Sequence, residues 1–198
     1  MNMNQLQNQS VPCVSLLEQM RLCDQMPGLS VLAHGEMVEA RYLELIGHIR
    51  DGAPLTSEWR MPEWIYDPII LKRLLPDDMM RTYLRYHDAG KITTRTVDED
   101  GRVRFPGHAE ASRDIWLAIG GDPEVAELMA LDMEIHLLKD IGVEAFAKRP
   151  QAIALLLAGL SEVHANAGLF GGLESDSAKA KIKNIDRRGK AILKRLAA

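Results

Sequence analysis

The chain has 198 residues, 46% hydrophobic and 26% charged, the size and composition of one globular domain with a sizeable core. No apolar run approaches the roughly 20 residues that span a bilayer, the polar start MNMNQLQNQSVP has no basic-then-apolar leader pattern, and two cysteines, Cys13 and Cys23, make no disulfide framework, so a reduced, cytoplasmic protein with no membrane partner is expected. The net charge of −4 divides into +5 from Glu174 onward and −9 over residues 1–173, which excludes a general nucleic-acid binder by charge alone and leaves local attraction of an anion by the basic tail.

Residues 1–12 are expected to be flexible. Val14, Leu16, Leu17, Met20 and Leu22 recur at helical spacing, which predicts a helix over 13–26. Ser30 can cap a second helix to about Arg50, with Leu32, Val38, Leu43, Leu45 and Ile46 inward. DGAPLTSEWRMPEW is a loop of turn formers. Asp67-Pro68 reads as an N-cap with proline at the first helical position, opening a helix that ends at Pro76. Asp77 caps the next helix, which delivers His87 and Asp88 at its end, and Gly90 stops it.

TRTVDEDGRVRF alternates about Asp100-Gly101, the pattern of a short β-hairpin near residues 94–105. A helix then runs from His108 to about Gly120. Asp122-Pro123 repeats the cap signal and opens the helix holding Asp132 and His136. Pro150 opens another, with Ile153, Leu155, Leu156, Leu157 and Leu160 as its core. Asp176 or Ser177 caps a basic amphipathic helix over 176–197, whose apolar stripe is Ile182, Ile185, Ile192, Leu193 and Leu196. The fold class is therefore all-α, one domain over 1–198 with at most one short hairpin.

A lone histidine on an apolar helix is ordinarily a hydrogen-bonded core residue. The adjacent pair His87-Asp88 is different, because both can turn to one point where a helix ends. Imidazole with carboxylate suits Mn, Fe, Co, Ni, Zn or Mg rather than a soft metal. Lys91 lies close enough to offset a phosphate, the alternative being a solvated loop lysine. Arg95, Arg102 and Arg104, on or near the hairpin, could grip further phosphates or simply be a charged strand face. Asp132 stands four residues before His136, on one helical face, where a surface carboxylate is the ordinary reading. His48 is expected to be exposed, and His164 to point away from Glu162. The pairs Gly120-Gly121 and Gly171-Gly172 lack the Lys-Ser/Thr of a phosphate-binding loop and read as helix stops.

The stretch HDAGKITTRTVDEDGRVRFPGHAEAS, together with the order His34, His87-Asp88, His108 and His136, resembles the HD superfamily of metal-dependent phosphohydrolases. Over residues 86–112 it is similar to the HD domain of bacterial CCA-adding tRNA nucleotidyltransferases, without their nucleotidyltransferase head. The wider helical pattern covers residues 30–167. The resemblance implies a helical bundle around a centre of one or two divalent ions, with His34, His87 and Asp88 as ligands and His108 and His136 as those of two-metal members. Glu162, in LSEVHANAG, stands where the family has a late-helix Asp, and Asp132 is the alternative. It implies a phosphatase or phosphodiesterase using a metal-activated water, with Asp88 and Lys91 catalytic and Lys91, Arg95 and Arg104 binding the substrate. That substrate would be a nucleotide or phosphorylated small molecule, or the phosphate of an RNA or DNA end. Two other readings stay open: a di-iron oxygenase on the HD scaffold, and a non-catalytic module binding nucleotide or RNA.

Overall fold

The computed structural model describes residues 13–197, with side chains from Leu16 onward. The expected flexibility of residues 1–12 and the inward place of Val14 fall outside the described residues and side chains. The fold is all-α with two small antiparallel pairs of strands, one more than the sequence pattern indicates. Helix α1 spans Cys13–Leu22, and β1 (Asp24–Met26) and β2 (Leu29–Ser30) then form a hairpin where continued helix was expected. Pro27 accounts for the difference, since the residue before a proline is pushed out of the helical region.

Helix α2 (Val31–Asp51) starts as expected, with Ser30 Oγ accepting from Ala33 N at 3.1 Å. Asp67 likewise caps α3 (Pro68–Lys72), accepting from Ile69 N at 2.9 Å. This helix stops short of Pro76, and Asp77 does not cap α4 (Asp77–Tyr86). Its two carboxylate oxygens instead take Arg50 at 2.8 and 2.9 Å. After α5 (Lys91–Thr94) come β3 (Thr96–Val97) and β4 (Val103–Arg104), the expected hairpin, and α6 (His108–Ala118).

The helix expected to hold both Asp132 and His136 is two helices, α7 (Pro123–Leu131) and α8 (Glu134–Leu137). Hydrogen bonds tighten to the three-residue kind at Asp132 N→Met129 O and His136 N→Met133 O. The two side chains therefore do not share one helical face. A short α9 (Val143–Ala147), absent from the sequence reading, precedes α10 (Ala152–Ala165), and α11 (Asp176–Leu196) is capped by Ser175 rather than Asp176 or Ser177. No helix among the described residues is long and apolar enough to cross a membrane.

Helix α10 is the centre. Every residue of it is buried except Glu162, and it packs on α2, α8, α9 and α11. A helix apolar all round is stable only when enclosed. Against it lies α2, and against α2 lies α4 at the closest approach two helices allow. A Cβ on Gly35 would sit 2.3 Å from the Arg85 carbonyl oxygen. That backbone contact brings the rings of His34 and His87 to 5.4 Å between centroids.

Glu44 fastens the loop after α2. Its carboxylate accepts from Thr56 N, Ser57 N, Thr56 Oγ1 and Trp59 Nε1 at 2.5, 2.7, 2.8 and 3.0 Å. Trp59 in turn lies 4.4 Å from the His164 ring, and Arg60 N donates to His164 Nε2 at 3.1 Å. His164 Nδ1 donates to Leu160 O at 2.8 Å, so both nitrogens of this buried ring are satisfied outside the site. His48, expected to be exposed, is half-buried and bonded to Ala53 O and the Tyr66 hydroxyl at 2.8 and 3.1 Å.

Gly35→Ala forces α2 off α4 and should cost about 1–3 kcal/mol in denaturant unfolding. Gly47→Ala, on the same helix, meets only Ala53 Cβ at an ordinary 3.7 Å and should gain about 0.5–1 kcal/mol. At Glu44, burial alone would raise the pKa, but the hydrogen bonds outweigh it and hold the group at about 2, against 4.5 ordinarily. Because the folded value is the lower one, the stabilisation is complete above about pH 4.5 and is lost as pH falls toward 2. Acid titrations should show that limb in the wild type and a flatter one in Glu44→Gln.

Candidate metal centre

His87 is the C-cap of α4, and its Nδ1 lies 2.7 Å from Leu84 O. A carbonyl only accepts, so Nδ1 carries the proton and Nε2 of the neutral ring presents a bare lone pair. That Nε2 stands 3.4 Å from Asp88 Oδ2. His34, from the first turn of α2, places its Nε2 3.4 Å from the same oxygen and 3.9 Å from Glu162 Oε1. His34, His87 and Glu162 each offer a ligand atom, all within 4.8 Å of one another. These three can hold a metal ion.

The arrangement calls for positive charge at its centre. A neutral imidazole lone pair facing a carboxylate oxygen at 3.4 Å is repulsive unless a proton or a cation lies between them. His34, His87 and Asp88 are all buried. Burial holds the His34 pKa down at about 4, overcoming the pull of Asp88 and Glu162, so this ring is in the neutral, ligating form at pH 7. At His87 burial opposes the charged form, but Asp88, Asp132 and Glu162 together outweigh it and raise the pKa. Burial would also raise Asp88, yet His87, Lys91, His34 and His108 hold it well below the carboxylate range. Donors bonded to one ion at about 2.0–2.2 Å stand roughly 3.0–3.6 Å apart; the 3.4 Å spacings of His34 and His87 from Asp88 lie in that range, and Glu162, 3.9 Å from His34, would have to move inward. The donor set fits a first-row divalent ion.

A second backbone contact brings in His108. A Cβ on Gly90 would lie 2.1 Å from the His108 carbonyl oxygen. Gly90 N donates to Ser112 Oγ, which donates to His108 O, both at 2.8 Å. The start of α6 is thereby seated on the turn that carries Asp88. His108 Nδ1 donates to Phe105 O at 2.8 Å, and its Nε2 stands 3.5 Å from Asp88 Oδ1. His136 Nε2 lies 2.8 Å from Glu162 Oε2. Burial works against that pair, but it is outweighed, and the His136 pKa is raised while that of Glu162 is lowered well below its ordinary value.

Asp132 is buried, contrary to its expected place on the surface, and accepts from the Tyr83 hydroxyl at 2.6 Å. Burial raises its pKa. Of the two carboxylates considered for closing the site, Glu162 is the one grouped with His34 and His87. Tyr83 was missed. Its position four residues before His87 on α4 is the signal that could have found it.

Lys91 Nζ lies 2.5 Å from Asp88 Oδ2 and 2.8 Å from Gln25 Oε1, and 5.4 Å from the Phe105 ring centroid. The sequence does not single out Gln25, because the helix expected over 13–26 hides the strand β1 that carries it. Lys91, Gln25, His34, Phe105 and Glu162 border a cavity of about 210 Å³. Arg95 and Arg104 do not. Arg95 is exposed at the end of α5. Arg104 is exposed and bonds Asp98 at 3.1 Å, and Arg102 pairs with Asp100 at 3.6 Å, so the hairpin arginines serve the hairpin's own aspartates.

Comparison with protein-family models, with curated proteins and with solved structures finds no match to this chain. The site stands on its own residues. Glu162→Gln should weaken binding of a divalent ion by at least about tenfold, whereas Asp132→Asn, which keeps an acceptor for Tyr83, should leave it close to wild type. Titration with Mn, Co or Zn, read by calorimetry, checks both.

Proposed function

We propose that the chain is a metal-dependent phosphohydrolase of the HD type, a phosphatase or phosphodiesterase acting on a nucleotide or on the phosphate of a nucleic-acid end. One observation carries the reading: two imidazoles from separate helices face a buried carboxylate, with a lysine on the same carboxylate at the edge of a cavity. The likeness of residues 86–112 to HD enzymes supports it. An ion of the Mn, Fe, Co, Ni, Zn or Mg group would supply Lewis acidity and a water acidified toward a pKa of ~7.

The protein's own residues do the rest. His34 and His87 offer Nε2 atoms whose rings are held by packing and, at His87, by the Leu84 carbonyl. Asp88 and Glu162 offset the ion's charge. Lys91 is fixed between Asp88 and Gln25, and its ammonium borders the cavity that would receive the phosphoryl group. There it lowers the cost of bringing an anion to a site lined by carboxylates. We place the reaction in the cytoplasm, in keeping with the free thiol of Cys23.

A second reading, a di-iron oxygenase, is favoured by one feature. Asp88 turns its two oxygens to different histidines, Oδ2 to His34 and His87 and Oδ1 to His108. Glu162 divides its oxygens between His34 and His136. Two adjacent ions need carboxylates placed in this way. Iron content together with oxygen consumption would select it.

Aryl phosphates and nucleotides with added Mn, Co, Ni or Mg should be hydrolysed, and a protein that binds metal but turns over none of them ends the first reading. Lys91→Ala should lower kcat/KM about 10²-fold with no loss of metal, since it removes a competitor for Asp88.

A further inference from the structure

Glu162 is a wall of two cavities. Behind it, away from Lys91, lies a second space of about 270 Å³ between α8, α10 and α11. The two cavities share Glu162, Asn166 and Phe170. The second is closed on one side by His136 and Glu162 and on the other by Lys181, Asn184 and Arg188. Those last three stand at i, i+3 and i+7 of α11, along one face.

The basic side of α11 reads in the sequence as a row of solvated charges opposite an apolar stripe. Several of its residues behave so. Lys179 pairs with Glu174 at 3.3 Å and Lys190 with Asp186 at 2.8 Å. Lys181, though exposed, and Arg188 line the cavity, and among the described residues neither has a carboxylate at ion-pair distance. Arg188 is half-buried, and its Nε donates to Leu138 O at 3.1 Å. A guanidinium tethered through Nε keeps its two terminal nitrogens for a bidentate anion. Lys181 Nζ lies 4.7 Å from the Phe170 ring centroid. Where the cavities meet, Asn166 Oδ1 is buried without a hydrogen-bond partner, a place for a hydroxyl donor. The opposite wall does not repel an anion strongly, because His136 stands 2.8 Å from the Glu162 carboxylate.

We propose that this cavity is a second phosphate subsite contiguous with the metal centre, and that the natural ligand carries two phosphoryl groups on a hydroxylated scaffold, as a nucleotide or sugar bisphosphate does. Which phosphate is cleaved rests on the phosphohydrolase reading. Anion binding at Lys181 and Arg188 does not.

Calorimetric titration of the full chain with inorganic pyrophosphate, before and after chelator treatment, tests the subsite. The wild type should bind in both states. Lys181→Ala/Arg188→Ala should weaken binding by at least about tenfold. Lys183→Ala/Lys194→Ala removes the same charge from exposed positions of α11 and should weaken it less than about threefold. Lys181→Glu, at an exposed position that does not threaten folding, should weaken it more than Lys183→Glu. Equal weakening by the two double variants, no weakening by the first, or no binding by the wild type overturns the proposal. A chain that takes up no metal and turns over no ester would end the phosphohydrolase reading, and the pyrophosphate result would still decide the subsite.

Discussion

A carboxylate withdrawn from water has to be met by positive charge or by donors, at a penalty otherwise of several kcal/mol. In this chain that demand falls on Asp88, buried where α4 ends. The lysine one turn later supplies part of the answer through an ion pair at 2.5 Å. The imidazoles of His34, His87 and His108 stand round it at 3.4–3.5 Å, too far for a good hydrogen bond. Their rings are oriented from behind, His87 and His108 by backbone carbonyls three residues upstream. What is left between them is a small buried space in which imidazole nitrogens face a carboxylate, a donor set that suits a hard or borderline cation.

The helices are arranged to keep those groups together. α10 gives up its one partly exposed position to Glu162 and spends the others on packing. α2 supplies His34 in its first turn while its far end, through Glu44, ties down the loop that covers the His164 side of α10. Polar residues in this core therefore fall into two kinds. His164 and Asp132 are paired by other protein groups and act as structure. His34 keeps an unpartnered Nδ1 and turns Nε2 to two carboxylates.

What could be read from the sequence was local. Ser30, Asp67-Pro68 and Asp122-Pro123 announce helix starts because each supplies its own capping oxygen within a few residues, and all three do so in the structure. The adjacency of His87 and Asp88 marks the centre because two such groups at a helix end have few structural uses. The misses are decisions made by distant partners. Asp77 looks like a cap until Arg50, from another helix, claims both its oxygens. Asp132 looks like a surface residue until the Tyr83 hydroxyl reaches it. Glu162, from α10, joins His34, while Asp132 is taken by Tyr83 and α7 and α8 part between Asp132 and His136. No pattern within a single helix contains that break.

The contact at Gly35 has a mechanical consequence. Where side chains separate two helices, any core substitution can widen or narrow the gap by an ångström. Where main chain touches main chain, the gap is already at its floor, and methylenes gained or lost elsewhere act on an incompressible stop. The opening between His34 and His87 is gauged in this second way, like the jaws of a caliper closed on a hard stop. The surrounding core can drift in sequence and in stability while the aperture offered to a cation keeps its size.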